Sequence, residues 1–414
     1  MTTRPDVPAR DPRIAEVVRE HVAPLADAWE RERVVPYAAA RALARARLLP
    51  VRAHDAAEAM RRRLELAALL GRTGSLGTAL TVLHAVSAPL AVLERLACGT
   101  ARELFLEPAR AGDACGAVAF PVDGARRISL RTVDGGVEMD GVVDCVAGAA
   151  GADFVLVAAR FADAVDAGTG DADALVAVRT DEPGVTVDRR ATVGLHTAAL
   201  GPVRLERCRV DAAQVARGPR VAAALADAAA DERLLLATAV IAAMDATLRR
   251  TLAFVGTRAF GPGVVLGDQQ AVRHRLADLM AEHDVAAAFQ AEVAAARLIG
   301  TPDHARCAML AIVAAEAAQK VVEGCMQLSG ARGFMEDDPA TRIYRDLLTL
   351  PLVPSLDPAT LESEVERDVF GSVDVDAPVH VSASAEGGLP RIGGDGGDAE
   401  IREPAAMLTG AGAW

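Results

Sequence analysis

The sequence has very little lysine and few aromatic residues. Of its 44 basic residues only Lys320 is a lysine, and aromatic side chains make up 3% of the 414 residues. The net charge is −13 and the arginines do not gather into runs, which argues against nucleic-acid binding. The alanine-rich composition, 51% hydrophobic, favours a mainly helical protein because alanine is the best helix former.

Cysteine pairs and long apolar runs are also lacking. The six cysteines are scattered without a CxxC pair or a metal-ligand spacing, which is typical of reduced, buried thiols in a cytoplasmic protein. The N-terminus has no apolar signal core. The longest uncharged run, Thr73 to Leu93, contains Ser, Thr, His and Pro. We interpret it as a buried pair of helices rather than a membrane span.

The spacing of apolar residues divides the chain into four parts. It has a helical period in residues 1–112, a period of two in 113–215, and a helical period again in 216–370. Residues 371–414 are rich in Gly, Ser, Ala and Pro and predict a flexible tail. We therefore expect an α+β, mainly α, fold with an N-terminal helical domain, a middle β domain and a C-terminal four-helix bundle.

Two local patterns support this division. Val137 and Met139 alternate with polar residues directly after the turn Asp134-Gly135-Gly136, which predicts a β-hairpin. An apolar stripe runs from Ala237 to Val255 in steps of three and four residues, which predicts one long amphipathic helix.

The most informative motif is QLSGARGFMEDDPATRIYRD, residues 327–346. It resembles the C-terminal signature of acyl-CoA dehydrogenases, roughly QxxGGxGY, E-x-P and then RxYRD. A weaker resemblance, including GLHTAALGPVRLERCRVDAAQV near the end of the β region, covers residues 12–370. It implies the three-part fold of that family, with a β-barrel as the middle domain. It also implies that the 327–334 turn meets the ADP half of an FAD at a subunit interface.

The resemblance implies a glutamate base that takes the α-proton of an acyl thioester. In many family members this base lies in a YEGTxE loop, but the corresponding text here is LPLVPSLDPATLESEV. An alignment without a gap puts Pro354 at the base position. A short insertion matches Thr360 and Glu362 to the motif and puts Pro358 there. Neither alignment supplies the glutamate.

A second branch, which resembles isovaleryl-CoA dehydrogenase, places the base at the start of the first bundle helix. Its stretch reads like LERLVLA, 26 residues before an arginine, and this chain reads DERLLLA with Glu232 at the same distance from Arg258. Glu232 is therefore the candidate base. The alternative is that Glu232 is an acidic residue in a first helical turn, where the positive helix end stabilises it.

The resemblance also implies a surface for the ADP half of FAD. The text TRAFGPGVVLGDQQ matches the family's RxxFGxxxxxxxQ segment with one residue missing and a longer loop, so the glutamine is Gln270 or Gln269. In the turn motif, the second glycine is replaced by Ala331. An arginine beside amide-rich turns suits a pyrophosphate. The residues implied to contact FAD are Arg258, Phe260, Gly261, Gln270, Gln327, Gly330 and Thr360.

The motifs that contact the flavin ring in the family are altered. Pro121, Val122 and Asp123 stand where Thr, Glu and Pro are expected, and Cys145 and Ala147 replace an aromatic residue and a threonine. Because the altered residues are those with which a subunit of the family holds its own flavin ring, one hypothesis is that the purified chain alone binds little or no FAD. We interpret Arg345 and Asp346, which do not face each other at adjacent helix positions, as packing and interface groups, and His84 as a satisfied core histidine rather than a base.

Three functional hypotheses follow. The first is an FAD-dependent desaturase of an acyl thioester, carried by CoA or an acyl carrier protein, with Glu232 as the base. The second is a degenerate subunit that binds little FAD alone and completes the site of a related partner. The third is a flavin-free fold with non-redox chemistry on an acyl chain. We expect a homo-oligomer or a hetero-oligomer with a related subunit.

Overall fold

The architecture is that of a computed structural model, which describes residues 11–48, 56–122, 128–161 and 174–371. The predicted tail lies outside these residues except for Gly371, the last residue of the final helix. The α-helices are α1 (Pro12–His21), α2 (Ala26–Glu32), α3 (Tyr37–Arg45), α4 (Ala56–Gly71), α5 (Leu76–Leu96), α6 (Gly99–Ala101), α7 (Glu107–Ala111), α8 (Arg220–Thr257), α9 (Gln270–Ile299), α10 (His304–Leu328), α11 (Pro339–Thr349) and α12 (Pro358–Gly371). The strands are β1 (Gly116–Ala119), β2 (Ile128–Val133), β3 (Gly136–Val146), β4 (Phe154–Phe161), β5 (Ala174–Arg179), β6 (Val185–Val187), β7 (Gly201–Asp211), β8 (Val215–Arg217), β9 (Ala259–Gly261) and β10 (Val264–Val265).

The N-terminal helices surround the apolar helix α5. Ser75 caps α5, since its hydroxyl accepts a hydrogen bond from the Thr78 N–H. The predicted pair of helices over Thr73–Leu93 is wrong, because α5 continues as one helix through Pro89. Helix α5 is long and apolar enough to cross a membrane, but 94% of its apolar window is buried inside the protein. Burial on all sides compensates for the hydrogen bond that proline removes.

The middle region is a mixed sheet in the order β6-β7-β3-β2-β4-β5-β8, with β1 beside β4. The predicted hairpin is confirmed: β2 and β3 are antiparallel and join through Asp134 and Gly135, whose φ of +80° suits a glycine. Val137 and Met139 are fully buried as predicted. Glu138 is buried as well, because Arg131 and Arg209 both contact its carboxylate.

Helix α8 is the central helix of the C-terminal region. The predicted stripe from Ala237 to Val255 lies on its buried face, and α8 packs against α4, α5, α9 and α10. Close packing with α4 requires Gly71, where a Cβ would lie 2.0 Å from the Ala239 carbonyl oxygen. Helices α9 and α10 complete the bundle with α11 and α12. The mainly helical α+β fold with a sheet between two helical regions is confirmed.

Candidate active site

Glu232 lies in the interior of α8, not at its start. The helix begins at Arg220, twelve residues earlier, so Glu232 is more than three turns from the positive end. The alternative of a first-turn acid is therefore wrong. The Glu232 side chain is 3% exposed. A carboxylate buried to this degree requires hydrogen-bond donors, because burial without them is costly.

Two parts of the fold supply partners to the Glu232 carboxylate. His84 of α5 lies with Nδ1 2.5 Å from Oε2, and Ser355 donates its hydroxyl to Oε1 at 2.6 Å. The other ring nitrogen of His84, Nε2, accepts a hydrogen bond from the Val118 N–H of β1 at 2.9 Å. His84 is thus a satisfied core histidine, as predicted. Its contact with the candidate base was not predicted.

Arg233, the next residue of α8, holds Ser355 from the opposite side. Its Nε donates to the Ser355 carbonyl oxygen at 2.7 Å, and its guanidinium pairs with Glu364 of α12. The Arg233 side chain is 1% exposed. A buried, fully engaged arginine fixes the backbone of the 353–357 segment, and with it the position of the Ser355 hydroxyl.

A small cavity opens beside Ser355. We call it the serine cavity; it measures about 100 Å³ and lies between the end of β1, the first turns of α8 and the start of α12. Glu232 does not line it, but Ser355, which donates its hydroxyl to the Glu232 carboxylate, does. Thr360 also lines this cavity and binds Asp357 through both its N–H and its hydroxyl.

A second cavity gathers the altered ring-contacting motifs. This sheet cavity measures about 270 Å³ and is lined by Pro121, Val122 and Cys145 on the sheet side and by Pro351 and Pro354 on the other. Asp123 lies outside the described residues, and Ala147 is buried. Burial raises the pKa of the Cys145 thiol to about 11, so it is a neutral, weak donor. The structure thus brings together two segments that are far apart in sequence.

The residues implied to meet the ADP half of FAD converge at one end of the bundle. Leu328, the last residue of α10, packs on a small apolar cluster of Val255, Val272 and Leu276 that joins the ends of α8, α9 and α10. This cluster brings the hairpin β9–β10 and the turn after α10 together. The residues so placed are Arg258, Phe260 and Gly261 of the hairpin, Gln270 at the start of α9, Gln327 at the end of α10, and Gly330.

The side chains at this end of the bundle are available for binding. Arg258 and Gln270 are exposed and have no side-chain hydrogen bond or ion pair within the described ranges. Phe260 is 63% exposed. Gly330 ends α10 with a φ of +60°, a conformation that favours glycine. Thr360 does not belong to this group, since it lines the serine cavity.

Comparison with known proteins identifies the family. The family model described as acyl-CoA dehydrogenase, C-terminal domain, matches residues 221–353. The acyl-(acyl-carrier-protein) dehydrogenase MbtN of Mycolicibacterium paratuberculosis is 31% identical over 293 residues, which cover 69% of this chain and 74% of that protein. The chain belongs to the acyl-CoA dehydrogenase family. The family suggested by residues 327–346 is confirmed.

Solved structures agree with this acyl-CoA dehydrogenase fold. An acyl-CoA dehydrogenase from Geobacillus kaustophilus superimposes with a TM-score of 0.77 at 19% identity, covering 86% of this chain and 96% of that one. Butyryl-CoA dehydrogenase from Megasphaera elsdenii superimposes with a TM-score of 0.74 at 17% identity, covering 86% and 96% of the two chains. Identities this low establish the fold alone.

Two surfaces of this acyl-CoA dehydrogenase family member are implied to bind FAD. Each surface suits one half of the cofactor, the flavin ring or the ADP half. Phe120, Pro121, Ile128 and Val143 give the sheet cavity apolar walls, which match the faces of a flat aromatic ring system. Arg258 and its neighbouring amides at the bundle end match a pyrophosphate. The residues present therefore fit the group, with fewer side-chain donors to the ring edge than the family pattern supplies.

Sequence reasoning missed that His84 and Ser355 are the partners of Glu232, since neither residue stands in a motif that points to this contact. The six cysteines are free, but Cys98 is exposed and Cys145 is half-buried, so the expectation of buried thiols holds for four of them.

The interpretation of Asp346 as a packing group is confirmed. Its carboxylate accepts the N–H groups of Leu76 and Leu195 at 2.9 and 2.6 Å and joins α5, the β region and α11.

Proposed function

We propose that this protein is an FAD-dependent dehydrogenase that introduces an α,β double bond into an acyl thioester carried by CoA or by an acyl carrier protein. The observation that carries the proposal is the buried Glu232 carboxylate, which accepts the hydroxyl of Ser355, a residue that lines the serine cavity. The similarity to MbtN supports a thioester substrate and favours this function over the partner-subunit and flavin-free hypotheses.

Glu232 is the proposed general base. When bound, FAD supplies the redox chemistry, since it accepts the hydride that leaves the β-carbon. Glu232 takes the α-proton, for which it must come within hydrogen-bond reach of the α-carbon. Ser355 donates to Oε1 in the structure, so its hydroxyl must rotate aside or remain on one lone pair of Oε1 while the substrate uses the other.

FAD is held by two surfaces in this proposal. The sheet cavity, which Pro121 and Pro354 line, would hold the ring, and Thr360 lines the neighbouring serine cavity at the start of α12. Arg258, Gln270 and Gln327 take the ADP half of a flavin that belongs to a neighbouring subunit.

Assembly with a second copy of the chain follows, because the ADP surface of one subunit would serve the flavin of its neighbour. Phe260, Phe334 and Met335 are 63%, 63% and 53% exposed beside the proposed ADP surface, and large exposed apolar side chains in one region mark an interface. We propose a homo-oligomer in which a second copy covers them. Free cysteines throughout fit the reducing conditions of the cytoplasm, where we place the protein.

The test is the flavin content and turnover of the purified chain. We expect a yellow oligomer with one FAD per chain that desaturates an acyl-CoA or acyl-phosphopantetheine in the presence of an electron-accepting dye. Glu232→Gln should keep the flavin and lose about 10² to 10⁴ in rate, because an amide cannot accept the proton. Glu366→Gln, which changes an exposed glutamate of α12, is the matched control and should leave the rate unchanged.

Two outcomes would favour the other hypotheses. A colourless chain that acquires flavin only beside a related subunit would support the partner-subunit hypothesis. A chain that stays colourless beside every such subunit, but binds an acyl thioester, would support non-redox chemistry.

A further inference from the structure

The two hydrogen bonds of His84 determine where its ring hydrogen lies. His84 is 2% exposed, and both its nitrogens are engaged, Nε2 with the Val118 N–H and Nδ1 with the Glu232 carboxylate. A peptide N–H can only donate, so Nε2 must be the acceptor and carries no hydrogen. The hydrogen of the neutral ring is then on Nδ1, which donates to Oε2 of Glu232.

The Val118 N–H is free to make this contact because of the position of β1 in the sheet. Strand β1 pairs with β4 alone among the described strands, so the peptide groups on its other side need different partners. Nε2 of His84 accepts a hydrogen bond from the Val118 N–H. Nδ1 of the same ring then presents a donor in a fixed position to Glu232.

We propose that His84 is a positioning residue that fixes the orientation of the Glu232 carboxylate by donating from Nδ1 to Oε2. This inference rests on the proposed role of Glu232 as the base, and it assigns different tasks to the two carboxylate oxygens. Oε2 is anchored by His84, whereas Oε1 accepts the hydroxyl of Ser355, a residue that lines the serine cavity. Oε1 is therefore the atom that takes the proton.

The fate of the proton follows from the same geometry. The Cα–H bond of the acyl group breaks, its proton bonds to Oε1, and the electron pair stays on the acyl group to form the double bond as a hydride leaves the β-carbon, for which bound FAD would be the acceptor. His84 cannot take the proton onward, because Nδ1 already holds a hydrogen and Nε2 is bound to the Val118 N–H. The proton stays on Glu232 until product leaves and water reaches Oε1 past Ser355.

Two substitutions of His84 separate positioning from simple packing. In His84→Asn the amide nitrogen stands where Nδ1 stood and still donates to Glu232, but the acceptor for Val118 is lost. In His84→Gln the longer amide reaches the Nε2 position and accepts from Val118, but the donor to Glu232 is lost. We expect His84→Asn to keep most of kcat and His84→Gln to lose up to about a hundredfold in kcat with little change in KM. A purely structural role predicts the opposite order of kcat. The activity of each variant would then follow its thermal stability, and His84→Gln would be the milder change.

Nitrogen-15 NMR of the histidine-labelled wild-type protein tests the tautomer without activity. The His84 ring, assigned by its loss in either variant, should show hydrogen on Nδ1 and none on Nε2. A hydrogen on Nε2, or a His84→Gln variant with wild-type kcat, would overturn the inference while the proposed function stands. A wild-type protein that binds flavin but desaturates no acyl thioester would refute the proposed function and the positioning role with it, even with hydrogen on Nδ1.

Discussion

Replacement of Arg233 by methionine tests whether one buried arginine holds the wall of the candidate site. Methionine keeps much of the volume but removes the hydrogen bond to the Ser355 carbonyl oxygen at 2.7 Å and leaves Glu364, whose side chain is 13% exposed, without its partner. Breaking a buried ion pair from one side costs about 3–5 kcal/mol. We expect a loss of about 4 kcal/mol, roughly a thousandfold in the unfolding equilibrium. Urea unfolding followed by circular dichroism measures it.

Two further variants control this experiment. Arg249→Met lies on the same helix and removes an exposed pair with Asp245, so it should cost at most about 0.5 kcal/mol. Arg233→Met combined with Glu364→Gln should recover part of the loss, because no unpaired carboxylate remains. The reasoning fails if Arg233→Met costs less than about 1 kcal/mol, or if the double variant is less stable than Arg233→Met alone.

Three other predictions concern stability and reactivity. Gly194→Ala places a Cβ 2.2 Å from a backbone oxygen of α11 and should lower stability by several kcal/mol in thermal melts. Gly256→Ala has open space and should change stability by less than about 1 kcal/mol. Equal melting temperatures for the two variants would refute this prediction. Burial and a neighbouring carboxylate raise the pKa of Asp346 from 3.8 to about 7. Between these pH values the folded chain therefore holds one proton more than the unfolded chain, and its stability falls as the pH rises from 3.8 to about 7. Asp346→Asn should make the stability less dependent on pH in thermal melts across this range. An unchanged pH dependence would contradict this prediction. Exposed Cys98 should be the first thiol that mass spectrometry finds alkylated in the native protein. Faster alkylation of a buried cysteine would contradict the packing described around that cysteine.

The fold was predictable because it depends on periodicity that short stretches of sequence carry. The helical stripe that ends at Val255 and the alternation after Gly135 each extend over enough residues to identify the element. The single helix over Leu76–Leu96 was not predictable in the same way, since Pro89 usually interrupts a helix and only burial on all sides keeps this one continuous.

The site was predictable only where chemistry followed a motif. Glu232 and Arg258 stand at a spacing that the family resemblance supplies, so both could be named from the sequence. His84, 148 residues from Glu232, and Ser355, 123 residues from it, come close only through folding. Their roles depend on which nitrogen or oxygen faces which, and the order of residues does not carry that information.

One measurement tests the central claim, that Glu232 is the base of a flavin-dependent acyl-thioester dehydrogenase. The flavin-loaded protein is mixed without oxygen with a saturated acyl thioester labelled with deuterium at the α-carbon, and the acyl product is analysed by mass spectrometry after a single turnover. The wild-type protein should convert the label-bearing chain to the enoyl thioester, with one hydrogen isotope lost from each of the α- and β-carbons. Glu232→Gln should bind the thioester and leave it saturated. A wild-type protein that leaves the chain saturated, or a Glu232→Gln variant that forms the enoyl product at the wild-type rate, would contradict the account.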